Sequence, residues 1–249
     1  MPVLVYAILD SKQINDSISH GLDFLSSCST VQLEFVTSST LTAIVSSQPD
    51  NNSSNSRQEV LAYAGIVDKI FERYSILPMR YGSVVASCAD VTALLEKNSE
   101  SFLKVLNKIM HKEEYSLRLF FSHQHQGDLV HENSVNVTLS PPEILLGNTE
   151  TKNYLLKKYQ EHIVEEKRLK YIEKIQSAIT EDLKKITDVV DFNKRATSGC
   201  IIDAVLLIER AAKNELLSLV AEMQSRYPEH NVILTGPWPP YNFAQIKLE

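Results

Sequence analysis

The chain has 249 residues, 25 Lys+Arg against 31 Asp+Glu for a formal charge of −6, and is 43% hydrophobic and 22% charged. That balance describes a globular protein with length enough for two modest cores or one large one, and seven glycines and nine prolines exclude a collagenous or low-complexity chain. A pI near 5.7 with dispersed basic residues argues against a nucleic-acid partner, which would need a concentrated Lys/Arg surface. The longest apolar run, residues 3–9, falls far short of the roughly 18–20 residues that span a bilayer. No basic stretch precedes it, so the expected compartment is the cytoplasm, without membrane contact. Cys28, Cys88 and Cys200 are distant from one another and lack CxxC spacing, which implies neither a disulfide framework nor a zinc ribbon but small core residues in a reducing compartment.

Residues 3–9, Val-Leu-Val-Tyr-Ala-Ile-Leu, are apolar on both faces of a period-two pattern and predict a central strand that needs cover on each side. Asp10 and Gln13 have capping-box spacing, and Ile14, Ile18, Leu22 and Leu25 recur at helical intervals. Val31, Leu33 and Phe35, then Leu41, Ala43 and Val45, alternate as a half-buried hairpin does. Residues 46–56 are all Ser, Gln, Pro, Asp or Asn, a composition that predicts a mobile surface loop. Val60, Ala64, Val67, Phe71 and Tyr74 predict a second helix ending before Pro78. Residues 76–86 read as a strand interrupted by Pro78 and Gly82. The order βαββαβ is that of a ferredoxin-like domain. Ser87 with Asp90 opens a third helix, carried by Val91, Leu94, Leu95, Phe102, Leu106 and Ile109 and broken near Asn98. A closing strand follows, on Tyr115, Leu117, Leu119 and Phe121.

Periodicity is lost over residues 122–151, apart from a strand fragment at 135–139, and this stretch is taken as an inter-domain connection. A long helix over residues 152–186 would extend about 50 Å at 1.5 Å per residue. Beyond it, residues 189–195 and 200–208 predict a strand pair, 209–227 a helix and 232–234 a last strand. The expected fold is α+β: two modified ferredoxin-like domains, antiparallel sheets with helices on one face, at residues 1–121 and 152–249. The second has a long leading helix, a first strand missing or supplied by the connection, and a Pro/aromatic tail.

Chemistry is sparse. His123, His125 and His131 with Asp128 have a spacing that a metal would tolerate, but a polar connection fixes no ligand geometry, and solvated histidines are expected. There is no G-x-S-x-G elbow, Walker loop or G-x-G-x-x-G turn. No catalytic residue, cofactor or metal is therefore expected. Asp203 inside a hydrophobic run is expected at a sheet edge or paired with a cation, not in catalysis. Arg80 in Leu77-Pro78-Met79-Arg80-Tyr81-Gly82 either holds a carboxylate or stacks on Tyr81, or contacts a partner. Thr235-Gly236-Pro237-Trp238-Pro239-Pro240-Tyr241 has too few backbone N–H groups to cradle phosphate. It either pins the end of the chain or presents Trp238 and Tyr241 as docking anchors.

The segment 77–83, Glu114-Tyr115 leading into a strand through Leu119, the long charged helix, and residues 234–243 ending in Tyr241-Asn242-Phe243 together resemble the gas vesicle accessory proteins of the GvpF/GvpL family over nearly the whole chain. The compact form without a long acidic insertion leans toward the F-type. The resemblance implies a non-enzymatic protein that assists gas vesicle formation and contacts the small hydrophobic shell protein GvpA, with other accessory proteins as further candidates. Tyr115 stands where many relatives carry Trp, and residues 122–131 match no family role. The residues add one expectation: Leu4, Tyr6 and Ile8 leave a sheet flank for the second domain or a partner to cover. With Arg80, Tyr81, Trp238 and Tyr241 they form the set of candidate partner-binding residues. A small-molecule binder or enzyme on the same scaffold is the competing reading, because fold does not determine function.

Overall fold

The computed structural model describes residues 1–15, 31–47, 57–121, 149–187, 189–192 and 199–246. Residues 48–56 of the loop predicted over 46–56, most of the first helix with Ile18, Leu22 and Leu25, the strand fragment at 135–139, and His123, His125 and His131 lie outside them, while Ser46 and Ser47 end a strand instead of opening that loop. Two compact units form: unit 1 is Met1–Tyr115, Leu207–Ala211 and Gly236–Glu249, and unit 2 is Ser116–Leu206 and Ala212–Thr235. Residues 236–249, assigned from the sequence to the second domain, thus cluster with the first unit.

The first sheet is built from β1 (Val3–Asp10), β2 (Leu33–Thr37), β3 (Leu41–Ser47), β4 (Leu77–Pro78) and β5 (Val84–Val85). Its order is β2-β3-β1-β4, with β5 also paired to β1, and β1 is antiparallel to β3, β4 and β5. Between them come the described start of the first helix, α1 (Lys12–Asn15), and α2 (Arg57–Arg73). This is the ferredoxin-like order expected from βαββαβ. The strand predicted over 76–86 is split in two, because residues 79–83 leave the ladder in a turn where Gly82 takes φ +87°.

The pairing of β1 with β3 shifts register between Val5 and Ala7, a β-bulge that re-aims the side chains beyond it. Tyr6, Ala7 and Leu9 accordingly join one buried cluster with Tyr63, Ile66, Val67 and Ile70 of α2, and Leu4 packs against that cluster. Ile8 is equally buried but outside the cluster. Leu4, Tyr6 and Ile8 are therefore not one flank.

The other face is covered as well. Ser87 caps α3 (Cys88–Lys97): its Oγ accepts from Asp90 N at 3.2 Å and donates to Asp90 Oδ2 at 2.6 Å. The chain breaks at Asn98, as predicted, into α4 (Ser99–Ile109). α3 meets β2 and β3 and α4 meets β1 and β4, burying Val91, Leu95, Phe102, Leu106 and Ile109. Tyr6 and Ile8 are only 3% and 1% exposed, so the bare apolar flank expected from the sequence is closed by the chain's own helices. Periodicity in 87–109 showed a buried stripe but not the surface it would meet.

The second sheet comprises β6 (Lys112–Phe121), β7 (Val190–Phe192), β8 (Cys200–Glu209) and β9 (His230–Trp238) in the order β7-β8-β6-β9. The long helix α5 (Thr149–Lys184), a 3-10 turn (Arg210–Ala212) and α6 (Lys213–Arg226) complete the elements. Read as β6-α5-β7-β8-α6-β9, the ferredoxin-like order repeats. The strand taken as closing the first domain is thus the first strand of the second sheet, the one the sequence left missing. Strand residues 112–115, 207–209 and 236–238 fall in unit 1. Within unit 2, Asp203 finds its expected cation: Arg118 Nε lies 3.3 Å from Asp203 Oδ1. Among the described residues no helix is long and apolar enough to cross a membrane.

Candidate functional site

Unit 1 brings the two unusual sequence segments together. Leu77, Pro78, Met79, Arg80 and Ser83 from the first, and Tyr241, Ala244, Gln245 and Ile246 from the tail, line a groove of about 380 Å³ with Phe102 of α4. The volume is ample for one or two side chains.

The turn in that groove is held from behind. Met79 N donates to Tyr6 O at 2.9 Å, Val5 N to Ser83 O at 2.9 Å, and Ser83 N to Arg80 O at 3.1 Å. Tyr63 Oη donates into a cluster of carbonyls, 2.8 Å from both Val5 O and Met79 O and 3.3 Å from Arg80 O. Burial raises the Tyr63 hydroxyl far above the ordinary tyrosine range, with Tyr241 and Tyr6 adding to it, so the proton stays on to make those bonds. The ring stacks on Tyr6 at 4.7 Å and meets Tyr81 edge-on at 5.4 Å. Tyr81 Oη donates to Glu59 Oε2 at 3.1 Å.

The tail is fixed by a buried acid. Glu114, 5% exposed, accepts from Asn242 N at 2.8 Å and from Asn242 Nδ2 at 2.6 Å. Burial raises the Glu114 carboxyl above its ordinary value, and the two Asn242 bonds pull it back. Gly236, at φ +126°, passes so close to β6 that a Cβ there would sit 2.8 Å from Glu114 O and 2.9 Å from Tyr115 Cδ1. Pro239 and Pro240 are buried, and Lys108 Nζ lies 5.6 Å over the Phe243 ring. Burial, then the Asp68 charge, push the Tyr241 hydroxyl up to about 12.

The seven candidates fare differently. Tyr6 and Ile8 are core residues and Leu4 is half-buried behind them. Tyr81 and Tyr241 are half-buried, with Tyr241 on the groove. Trp238 is 46% exposed and does not line it. Arg80 is exposed, and among the described residues its guanidinium neither pairs with a carboxylate nor stacks on Tyr81. Sequence reasoning missed Tyr63, Phe102 and Asn242 as parts of this arrangement. Tyr63 had a signal, because residues 63, 67, 70 and 74 follow the same helical period as those chosen on α2.

Unit 2 has a groove of about 480 Å³ whose lining includes Asp182, Lys185, Glu215, Glu222 and Arg226. Its central acid is matched: Asp182 accepts from Lys185 Nζ at 2.7 Å and from Arg226 Nη1 at 2.5 Å.

The family model described as gas vesicle synthesis protein GvpL/GvpF matches residues 2–245. The chain belongs to the GvpL/GvpF family. Over 76 residues it is 30% identical to gas vesicle protein F1 of Halobacterium salinarum, a stretch that is 30% of this chain and 36% of that protein's length. The crystal structure of GvpF from Anabaena sp. PCC7120 superposes with a TM-score of 0.74 at 18% identity, covering 99% of this chain and 97% of that one. GvpF from Microcystis aeruginosa gives 0.68 at 15% identity, covering 98% and 99%. At such identities the two structures speak for the fold. The GvpL/GvpF match takes in every residue that lines the unit 1 groove except Ile246.

Proposed function

We propose that this GvpL/GvpF protein is a non-enzymatic, cytoplasmic assembly factor that binds the small hydrophobic shell protein GvpA and assists vesicle nucleation or growth. The observation that carries the reading is the meeting of the distinctive segment 77–83 with Tyr241, the end of the Pro/aromatic segment, and residues 244–246 on one groove in unit 1. Its wall combines Leu77, Pro78, Met79, Phe102, Ala244 and Ile246 with Arg80, Ser83, Tyr241 and Gln245, and it presents none of the paired acids or nucleophile–base contacts from which a reaction would be built. The role of the sheet flank passes to this groove, since Tyr6 and Ile8 are sealed.

Capture of GvpA by the full chain from a co-expressing host is the expected result. Deleting the gene in a vesicle-forming host should abolish or deform the vesicles. Normal vesicles in the deletion strain, together with no capture, would reject the reading.

A further inference from the structure

The long helix α5 is seated within its own unit by its second half. Ile175, Ile179 and Leu183, spaced by four, are 3%, 1% and 0% exposed, whereas from residue 154 to residue 170 no side chain is buried. Over that first half Leu155, Leu156, Tyr159 and Ile163 form a stripe of their own. Leu155 is 42% and Tyr159 47% exposed, and Leu156 and Ile163 are half-buried. Ile163 stands 16 positions before Ile179, about 4.4 turns at 3.6 residues per turn, so this stripe points roughly 160° away from the buried one. It faces away from the surface that holds the helix. A polar helix can be sustained by its own ion pairs, and this one has them: Lys158 with Glu161 at 2.7 Å, Arg168 with Glu165 at 3.4 Å, and Lys170 with Glu166 at 2.7 Å. Those pairs account for the charges but leave the stripe uncovered.

The charges beside the stripe define what fits it. Lys158 and Glu165 are about two turns apart and so share one flank. When two copies of this helix lie antiparallel about an axis between residues 161 and 162, Lys158 of each copy meets Glu165 of the other. A parallel pair instead sets Lys158 against Lys158 and Glu165 against Glu165. We propose that this face of α5 is a self-association surface, on which a second copy of the chain packs its own Leu155, Leu156, Tyr159 and Ile163 in an antiparallel two-fold pair. The same patch then serves on both sides, as a two-fold interface requires. The stripe supplies the area removed from water, and the Lys158–Glu165 pairs set direction and register. The pairs these two side chains make within the helix are exposed, hence weak and readily exchanged. Residues 154–170 extend about 25 Å, a contact at the small end of specific interfaces, and association is expected in the micromolar range. None of this depends on the shell-protein reading.

The test is sedimentation equilibrium of the full chain over a range of concentrations. Wild type is expected to pass from the mass of one chain, 28.1 kDa, to twice that mass. Tyr159→Glu places a charge in the stripe and should abolish the heavier species. Lys158→Glu and Glu165→Lys should each weaken association roughly tenfold or more, because each sets like charges against each other across the axis. Combining the two exchanges the partners, and the double variant should recover wild-type association to within about threefold. That recovery separates pairing between copies from a weakened helix, since the double variant has lost both the Lys158–Glu161 and the Glu165–Arg168 pairs. Thermal unfolding of dilute Tyr159→Glu should match wild type, as its side chain is exposed. A wild-type chain still of single mass at about 200 µM overturns the inference. So does association that neither charge reversal weakens, or that the double variant fails to recover. If the chain stays single and Tyr159→Glu loses capture of GvpA, the face belongs to the shell protein and the inference falls.

Discussion

The two grooves differ less in size than in what their charges are doing. In unit 2 the larger one, about 480 Å³, has an acid, Asp182, that is already held by Lys185 and Arg226. In unit 1 the smaller one, about 380 Å³, carries an exposed arginine, Arg80, whose guanidinium pairs with nothing among the described residues. A matched ion cluster is a way for a fold to hold its own elements together, whereas an exposed cation without a partner among the described residues adds little to that.

The comparison depends on the tail being locked where it lines the unit 1 groove, and the largest expected effect attacks that lock. Gly236→Ala would set a methyl 2.8 Å from Glu114 O and 2.9 Å from Tyr115 Cδ1 at a φ of +126°, where both backbone and neighbours resist. The expected loss is about 3 kcal/mol, or roughly 6–12 °C in midpoint for a chain of this length, read by thermal unfolding. A midpoint within two degrees of wild type would show that the tail is not seated as described.

Two acids then sharpen the contrast through pH. Asn242→Ala removes a donor from the buried Glu114 carboxylate, a change expected to cost about 2 kcal/mol at neutral pH. Because the folded-state pKa of Glu114 is raised, chiefly by burial, its contribution is fully present below the unfolded pKa and is lost as pH rises through the folded one. The variant loses the side-chain bond, one of the two that restrain that rise, so its deficit should grow from pH 4 to pH 8. Asp182 behaves in the opposite sense. Its pKa is lowered, first by the Lys185 hydrogen bond and then by Arg226 against the opposing effect of burial. Its contribution is therefore present above the unfolded value and lost as pH falls through the folded one. Asp182→Asn should cost about 1–2 kcal/mol at pH 7 and converge on wild type in acid. Urea unfolding at pH 3, 4, 5, 7 and 8 measures both; parallel pH profiles for the two variants would refute the distinction.

Much of the architecture was legible because it rests on local pattern. The break at Asn98, the Ser87 cap, the strand pair near 190–208 and the long helix all follow from spacing within a few residues of sequence, and the structure has them. What failed was long-range. A bulge at Tyr6 cannot be seen in an unbroken apolar run, so three residues of period two were read as one face. The strand β6 was assigned by its nearness to the first half of the chain, although its partners, β8 and β9, lie about 80 to 120 residues later. The turn and tail stood out as chemistry, but nothing in either segment says that Asn242 reaches back to Glu114 or that Phe102 meets both at one groove.

The smallest expected change in stability is the most telling for that groove. Arg80→Ala removes a side chain with no partner among the described residues, so unfolding should shift by no more than about 0.5 kcal/mol. Arg226→Ala deletes one of two cations on Asp182, whose side chain is 10% exposed, and should cost about 1 kcal/mol. The pair forms a ratio that does not depend on absolute calibration: two arginines, each beside a groove, one costly to remove and one nearly neutral. Were Arg80→Ala the more damaging, the guanidinium would be a structural cation after all and the unit 1 groove would lose its claim to a partner. If the expected order holds, Arg80 is not a structural cation, which is what a role for it at the groove requires.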